Sequence, residues 1–316
     1  MRARLLKVQR AVVTGPTGAV GMALIHELAN HGIEVFAVAR EGSKRIDSIP
    51  DHNLVHVVEC SLGDYEKLPE LIGTSCDAFY HLAWNGTFGA SRQDWKIQTK
   101  NIDYAVEAVR AASELSCKVF IGAGSQSEFG HVDGVLHPDM PCNPDNGYGA
   151  AKLAAHEMTK SYCGHLGIRQ EWCRIVSLFG PGDGDYTLIS QAIQKLLSHE
   201  HLSCTKGDQI WDYIYSKDAA RAFRLVAERG KHGSVYCFGT GNTRTLREYI
   251  EAIRDIVDPS ASIGFGEIDY YPNQVMHLEA DISNLKEDTG FIPLYQFEEG
   301  IRETVKWANN MREDAS

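Results

Sequence analysis

The first half of the chain alternates short, almost wholly apolar runs with longer stretches in which apolar positions recur every three or four residues. The runs Ala11–Gly15, Glu34–Arg40, Leu54–Glu59, Ala78–Ala83, Lys118–Ala123 and Gln170–Val176 have the length and β-branched content of strands covered on both faces. Between them, Gly21–His31, Tyr65–Ile72, Trp95–Glu114 and Gly149–His165 carry the helical period. Strands joined by helices of this length need right-handed crossovers, which place them side by side in a parallel sheet. The pattern predicts an α/β fold with a doubly wound parallel sheet.

Beyond residue 176 the alternation becomes irregular. A turn Gly-Pro-Gly-Asp-Gly-Asp at 180–185 precedes a helix near Thr187–Ser198, and a strand-like Trp-Asp-Tyr-Ile-Tyr at 211–215 leads into a helix over Lys217–Glu228. Ser234–Phe238 again reads as a buried strand, and Phe297–Asn310 as an amphipathic helix. The expected organisation is a first domain over 1–176 that regains a segment near 211–239. A smaller C-terminal α/β lobe over 177–316 is partly interleaved with it.

Charge narrows the partners. The 316 residues carry 31 Lys and Arg against 42 Asp and Glu, a formal charge of −11, so a nucleic-acid backbone is an unsuitable partner. No apolar run approaches the roughly 20 residues needed to cross a bilayer, and the opening MRARLLKVQR leads straight into a strand, so no membrane partner is expected and the chain reads as cytoplasmic. The eight cysteines form no CxxC pair and read as free thiols. His52 with His56, and His199 with His201, lack the company of a metal site and read as surface residues; no metal is expected.

The first strand runs into Thr14-Gly15-Pro16-Thr17-Gly18-Ala19-Val20-Gly21 and then a helix. Glycines three apart at the first βα turn let backbone approach a pyrophosphate whose charge sits at the helix N-terminus, as in the Rossmann dinucleotide site. The second strand ends at Arg40, 19 residues after Gly21, where a carboxylate would select NAD by holding the ribose 2′-hydroxyl. A guanidinium there pairs instead with a 2′-phosphate, and Ser43, Lys44 and Arg45 follow at the same corner. NADP(H) is the expected cofactor, with NAD the alternative.

Downstream, Tyr148 and Lys152 lie four residues apart at the start of a predicted helix, on one face. A neighbouring ammonium stabilises a phenolate and makes the tyrosine a workable general acid or base. The strand before this helix ends in Gly122-Ala123-Gly124-Ser125-Gln126-Ser127, and a hydroxyl at the carboxyl end of a parallel strand faces the ligand crevice. Ser125 there is placed to hold a carbonyl oxygen beside the tyrosine.

With these motifs in order, the sequence resembles the extended short-chain dehydrogenase/reductases, the epimerases, dehydratases and reductases of nucleotide sugars. Gly15, Gly18 and Gly21 match the family's TGxxGxxG, His81-Leu82-Ala83 its HLA motif, and Ser125, Tyr148 and Lys152 its catalytic triad. The resemblance implies that Leu62, Leu82, Ala83, Asn101 and Ile175 join Gly15, Thr17, Gly18, Ala19, Val20, Gly21, Arg40, Ser43, Lys44, Tyr148 and Lys152 around the cofactor. It implies a nucleotide-sugar substrate near Trp84, Ser125, Gln126, Ser127, Ser177, Trp211 and Tyr271. It also implies a homodimer formed through a four-helix bundle of Trp95–Glu114 and Gly149–His165.

Departures select among the family's chemistries. Gln126 and Ser127 stand where its dehydratases carry Asp and Glu, which disfavours elimination. Ser127 also stands where members that epimerise beside the ketone carry Cys. Trp211 and Tyr271 replace arginines that commonly meet the substrate diphosphate, and either ring is as well suited to core packing as to stacking on a ligand. The layout is nearest to members that use NADPH to reduce the C4 ketone of a nucleotide-activated 4-keto-6-deoxy sugar. A nucleotide-sugar 4-epimerase retaining NAD is the alternative, and a catalytically silent NADP(H)-binding regulator a third reading.

Overall fold

The structure, a computed structural model, describes residues 5–313. Seven strands form one wholly parallel sheet: β1 (Arg10–Thr14), β2 (Glu34–Ala39), β3 (Val55–Glu59), β4 (Ala78–His81), β5 (Val119–Ser125), β6 (Arg169–Ile175) and β7 (Val235–Phe238). Their order across the sheet is β3-β2-β1-β4-β5-β6-β7, so the winding direction reverses between β1 and β4. This is the doubly wound α/β arrangement, and a crevice opens at the carboxyl ends of the strands where the order reverses.

Four helices supply most of the cover: α1 (Ala19–Asn30), α2 (Trp95–Glu114), α3 (Gly147–Leu166) and α4 (Ser216–Arg229). Helices α1 and α4 pack together on one face, α2 and α3 on the other. Alternation along each strand divides the core accordingly. Val13, Ala37, Tyr80 and Ile121 meet Leu24 and Ile25 of α1 and Phe223 of α4, whereas Val12, Val38, Phe79 and Phe120 meet Ala108, Val109 and Ala112 of α2.

The remaining chain builds a smaller lobe. Gly134–Leu136, His277–Ala280, Ile210–Trp211 and Arg244–Thr245 form a four-stranded sheet. Helices Leu188–Leu197, Leu246–Val257 and Phe297–Glu313 enclose a third core around Phe179, Tyr249, Ile253 and Phe297. The helix at Leu246 opens on a capping box, Thr245 with Glu248, that the sequence reading passed over.

The single strand expected at 211–215 is two strands. Ile210–Trp211 belongs to the lobe sheet, while Ile214–Tyr215 pairs with Leu178–Phe179. Asp212 causes the break. Its buried carboxylate accepts from Thr240 N–H at 2.8 Å, the Thr240 hydroxyl at 2.6 Å, Gly241 N–H at 3.0 Å and Ala280 N–H at 3.3 Å, and this turns the chain from one sheet to the other.

Candidate active site

At the reversal of the sheet, two turns are locked together by one hydroxyl. Thr14, fully buried at the end of β1, accepts from the Leu82 and Ala83 N–H groups at 3.1 and 3.2 Å. Gly15 follows with φ +70°, and a Cβ there would lie 2.9 Å from the Ala83 nitrogen. A Cβ on Gly21 would strike the Gly15 carbonyl oxygen, so α1 starts hard against the turn. Gly18 caps α1 without a side chain, and no acidic residue occupies the first turn. The N–H groups and positive dipole end of α1, flanked by Thr17, Ala19 and Val20, are thus left for an external anion. A dinucleotide's pyrophosphate fits this cradle.

The basic corner lies beside it. Arg40, Lys44 and Arg45 are exposed and Ser43 is half-buried beyond the end of β2. The Arg45 guanidinium donates to the Thr17 carbonyl and, at 3.3 Å, to the Thr17 hydroxyl, which ties the corner to the glycine turn. Ser43 N–H returns to the Arg40 carbonyl at 3.1 Å. Leu62 sits half-buried after β3 in the core facing α2, and Ile175 ends β6 in the core facing α1.

The segment after β4 is fixed by two buried amides of α2. Asn101 spends both polar groups on Asn85, accepting from its N–H and donating to its carbonyl, each at 2.9 Å. Asn101 therefore braces the turn beside Ala83. Gln98, which the sequence reading missed, accepts from the Trp84 indole N–H at 2.9 Å and donates to the Gly86 and Ser91 carbonyls at 2.8 and 2.9 Å. Such fully satisfied buried amides hold an irregular loop in one shape.

Three elements bring the reactive side chains together. Ser125 ends β5 and is itself the cap of a short turn, its hydroxyl accepting from Ser127 N–H at 3.2 Å and its N–H donating to Glu128 at 2.8 Å. Helix α3 begins two residues earlier than its period suggested, because Asn146 caps it through Gly149 N–H at 2.8 Å. A Cβ on Gly149 would collide with the Ser127 carbonyl oxygen, so this glycine lets α3 abut the turn and sets Tyr148 beside Ser125. Burial raises the Tyr148 pKa, against which the charge of Arg92 and a hydrogen bond from Ser125 act. Lys152, one turn on, is 3% exposed, donates to the Ala123 carbonyl at 2.7 Å and lies 3.8 Å from the centroid of the Trp84 ring. Burial lowers its pKa to about 7.

Arg92 was not foreseen. It comes from a short turn over Gly89–Gln93, donates to the Ser127 hydroxyl at 2.6 Å and lies 4.3 Å from the centroid of the Tyr148 ring. Glu128 was also passed over. Its fully buried carboxylate accepts from Trp172 at 2.9 Å and Arg174 at 2.8 Å, so it is spent within the protein and offers no base to a ligand.

Of the expected substrate residues, Trp84, Ser125, Gln126 and Ser127 gather around Tyr148 and the turn after β5. Ser177 and Trp211 meet each other at the base of the lobe, the indole N–H donating to the hydroxyl at 2.8 Å. Tyr271 stands apart, 76% exposed. A cavity of about 660 Å³ lies between α1, α4 and the last helix and takes in only Ala19 of the residues named for the cofactor, so chemistry rather than volume locates the site.

Known proteins share the sequence pattern and the fold. The model of the NAD dependent epimerase/dehydratase family matches residues 11–239. The chain is 26% identical over 304 residues to CDP-abequose synthase of Salmonella typhimurium, covering 93% of this chain and 97% of that protein. It is 24% identical over 339 residues to dTDP-glucose 4,6-dehydratase of the same organism, covering 94% and 92%. Among solved structures, UDP-N-acetylglucosamine 4-epimerase of Methanobrevibacter ruminantium, in complex with UDP-N-acetylmuramic acid, superposes with a TM-score of 0.86 at 25% identity, covering 97% of this chain and all of that one.

Proposed function

The chain belongs to the NAD dependent epimerase/dehydratase family, and from that premise we propose that it is an NADPH-dependent reductase of the C4 ketone of a nucleotide-activated 4-keto-6-deoxy sugar. The observation that carries this reading is the composition of the reactive cluster. Ser125, Tyr148 and Lys152 form a single proton-transfer group, while the neighbouring Gln126 and Ser127 are neutral and Glu128 is consumed by Trp172 and Arg174. Removing water from a sugar needs a separate acid and base; reducing a carbonyl needs one acid.

When bound, the cofactor supplies hydride to the carbonyl carbon. The residues named above for the cofactor would hold it: the α1 N-terminus and glycine turn at its pyrophosphate, and Arg40, Ser43 and Lys44 at a 2′-phosphate. Tyr148 gives its proton to the substrate oxygen as negative charge develops there. The Ser125 hydroxyl orients that oxygen and donates to it. Lys152, held on Ala123 one helical turn after Tyr148, would hold the cofactor ribose and, in its protonated form, favours the phenolate. Trp84 walls the pocket beside Tyr148, its ring edge-on at 6.2 Å between centroids. The proposed substrate is a nucleotide sugar, supported by the name of the relative CDP-abequose synthase. Trp211 and Tyr271 offer aromatic faces for a base or sugar.

A 4-epimerase with retained NAD uses the same triad in both directions and is supported by the likeness to UDP-N-acetylglucosamine 4-epimerase. The basic corner at Arg40 favours exchangeable NADPH and hence reduction. A homodimer through α2 and α3 is supported by Trp95 and Met158, which stay exposed on these packed helices. The test is to purify the protein, identify the nicotinamide it retains, and follow NADPH oxidation with 4-keto-6-deoxyhexoses linked to CDP, dTDP, GDP and UDP. Oxidation with one of these supports reduction; tightly held NAD with no net oxidation overturns it.

A further inference from the structure

Tyr148 faces two cations, and they are unlike. Lys152 Nζ lies 5.8 Å from the centroid of the phenol ring, is turned toward Trp84 and the Ala123 carbonyl, and has its pKa lowered by burial to about 7. The Arg92 guanidinium, a planar delocalised cation, lies 4.3 Å from the same centroid. It is anchored on both arms, to the Thr87 carbonyl at 3.1 Å and to the Ser127 hydroxyl at 2.6 Å. Among the described residues no carboxylate pairs with it, so its field is not cancelled locally. The loop that carries it is fixed from below by Gln98 and closed from above by Phe88, which stacks on Tyr186 of the lobe at 3.6 Å.

We propose that Arg92 is a positioning residue that acts on proton transfer through Tyr148, its guanidinium lying over the ring face and stabilising the phenolate left when the proton departs. The other groups facing the phenol are accounted for. The Ser125 hydroxyl favours the phenolate, Glu128 and Tyr186 oppose it, and burial opposes it most. A cation over an aromatic face, partly shielded from water, contributes enough to move an ionisation by about one pH unit. Arg92 thereby brings a cation to the face of Tyr148 at 4.3 Å, nearer than Lys152 at 5.8 Å. The inference rests on the reading of Tyr148 as the proton donor, but its physical content concerns the free protein.

The experiment reads one residue without turnover. A fluorinated tyrosine more acidic than tyrosine, incorporated at position 148 of the full chain, is titrated by fluorine NMR in the parent, Arg92→Gln, Arg92→Lys and Ser127→Ala backgrounds. Arg92→Gln is expected to raise the midpoint by about one unit. Arg92→Lys should restore most of it, and Ser127→Ala, which frees one anchor, should give a smaller rise in the same direction. In the reaction, the limb of the kcat/KM profile set by Tyr148 shifts by the same amount, with KM little changed. An unmoved midpoint in folded Arg92→Gln, or a loss carried by KM alone, overturns the proposal and makes Arg92 a substrate ligand or a loop brace. Should no sugar be reduced while the midpoint still moves, the reductase reading fails and this inference stands.

Discussion

Lys152 donates to the main-chain carbonyl of Ala123 at 2.7 Å, so the amine of the Tyr-x-x-x-Lys pair is anchored on β5 rather than left free on α3. Burial holds its pKa near 7, well below its ordinary 10.5. Between those values the unfolded chain binds a proton that the folded chain does not, so this group makes stability rise with pH. The contribution amounts to about 1.4 kcal/mol per pH unit where the difference is a full proton. Chemical denaturation between pH 8 and 9.5 should show this slope in the wild type and its loss in Lys152→Met. A slope identical in the two proteins contradicts the buried, largely neutral lysine.

Tyr148→Phe removes the proposed proton donor and almost nothing else, since the ring keeps its place between Arg92 and Trp84. Turnover should fall by about a thousandfold or more, with NADPH affinity nearly unchanged. Substantial residual activity shows that the proton comes from another group.

The cofactor corner makes a separate prediction. If Arg40 meets a 2′-phosphate as proposed, Arg40→Asp removes a charge-assisted contact and introduces repulsion, so NADPH affinity should fall by about 10- to 100-fold while NADH binding holds or improves. Arg45 bonds Thr17 on the glycine turn, and Arg45→Gln should weaken both cofactors. Titration of the four protein–cofactor pairs decides it; an unchanged preference in Arg40→Asp rules out the 2′-phosphate assignment.

Glu128 and Arg174 are buried together, with Trp172 on the same carboxylate. Glu128→Ala strands a buried guanidinium and should cost about 3–5 kcal/mol in urea unfolding. A loss below about 1 kcal/mol shows that the pair is not a structural tie.

What was legible in the chain was what repeats. The strands of the parallel sheet other than the exposed edge strand β3 announce themselves because both faces are buried, and the glycine turn and Tyr148 with Lys152 because their spacing follows from backbone and helix geometry. Arg92 had no such signal: it reaches Tyr148 from a turn over 89–93, more than fifty residues upstream, with no periodicity to point it inward. Glu128 reads in sequence as one polar residue after a motif, and only β6, carrying Trp172 and Arg174, shows why it is buried. The 211–215 run reads as one strand because its break depends on Asp212 meeting Thr240 and Ala280, which are distant in the chain.

In the proposed reaction, hydride moves from an exchangeable NADPH to C4 of a keto sugar. It is tested most directly with NADPH carrying deuterium at the transferable position of the nicotinamide, the matching nucleotide-linked 4-keto-6-deoxyhexose, and NMR of the product. One deuterium at C4 per NADPH oxidised is the predicted result. A product inverted at C4 without label, formed with no NADPH consumed, contradicts it.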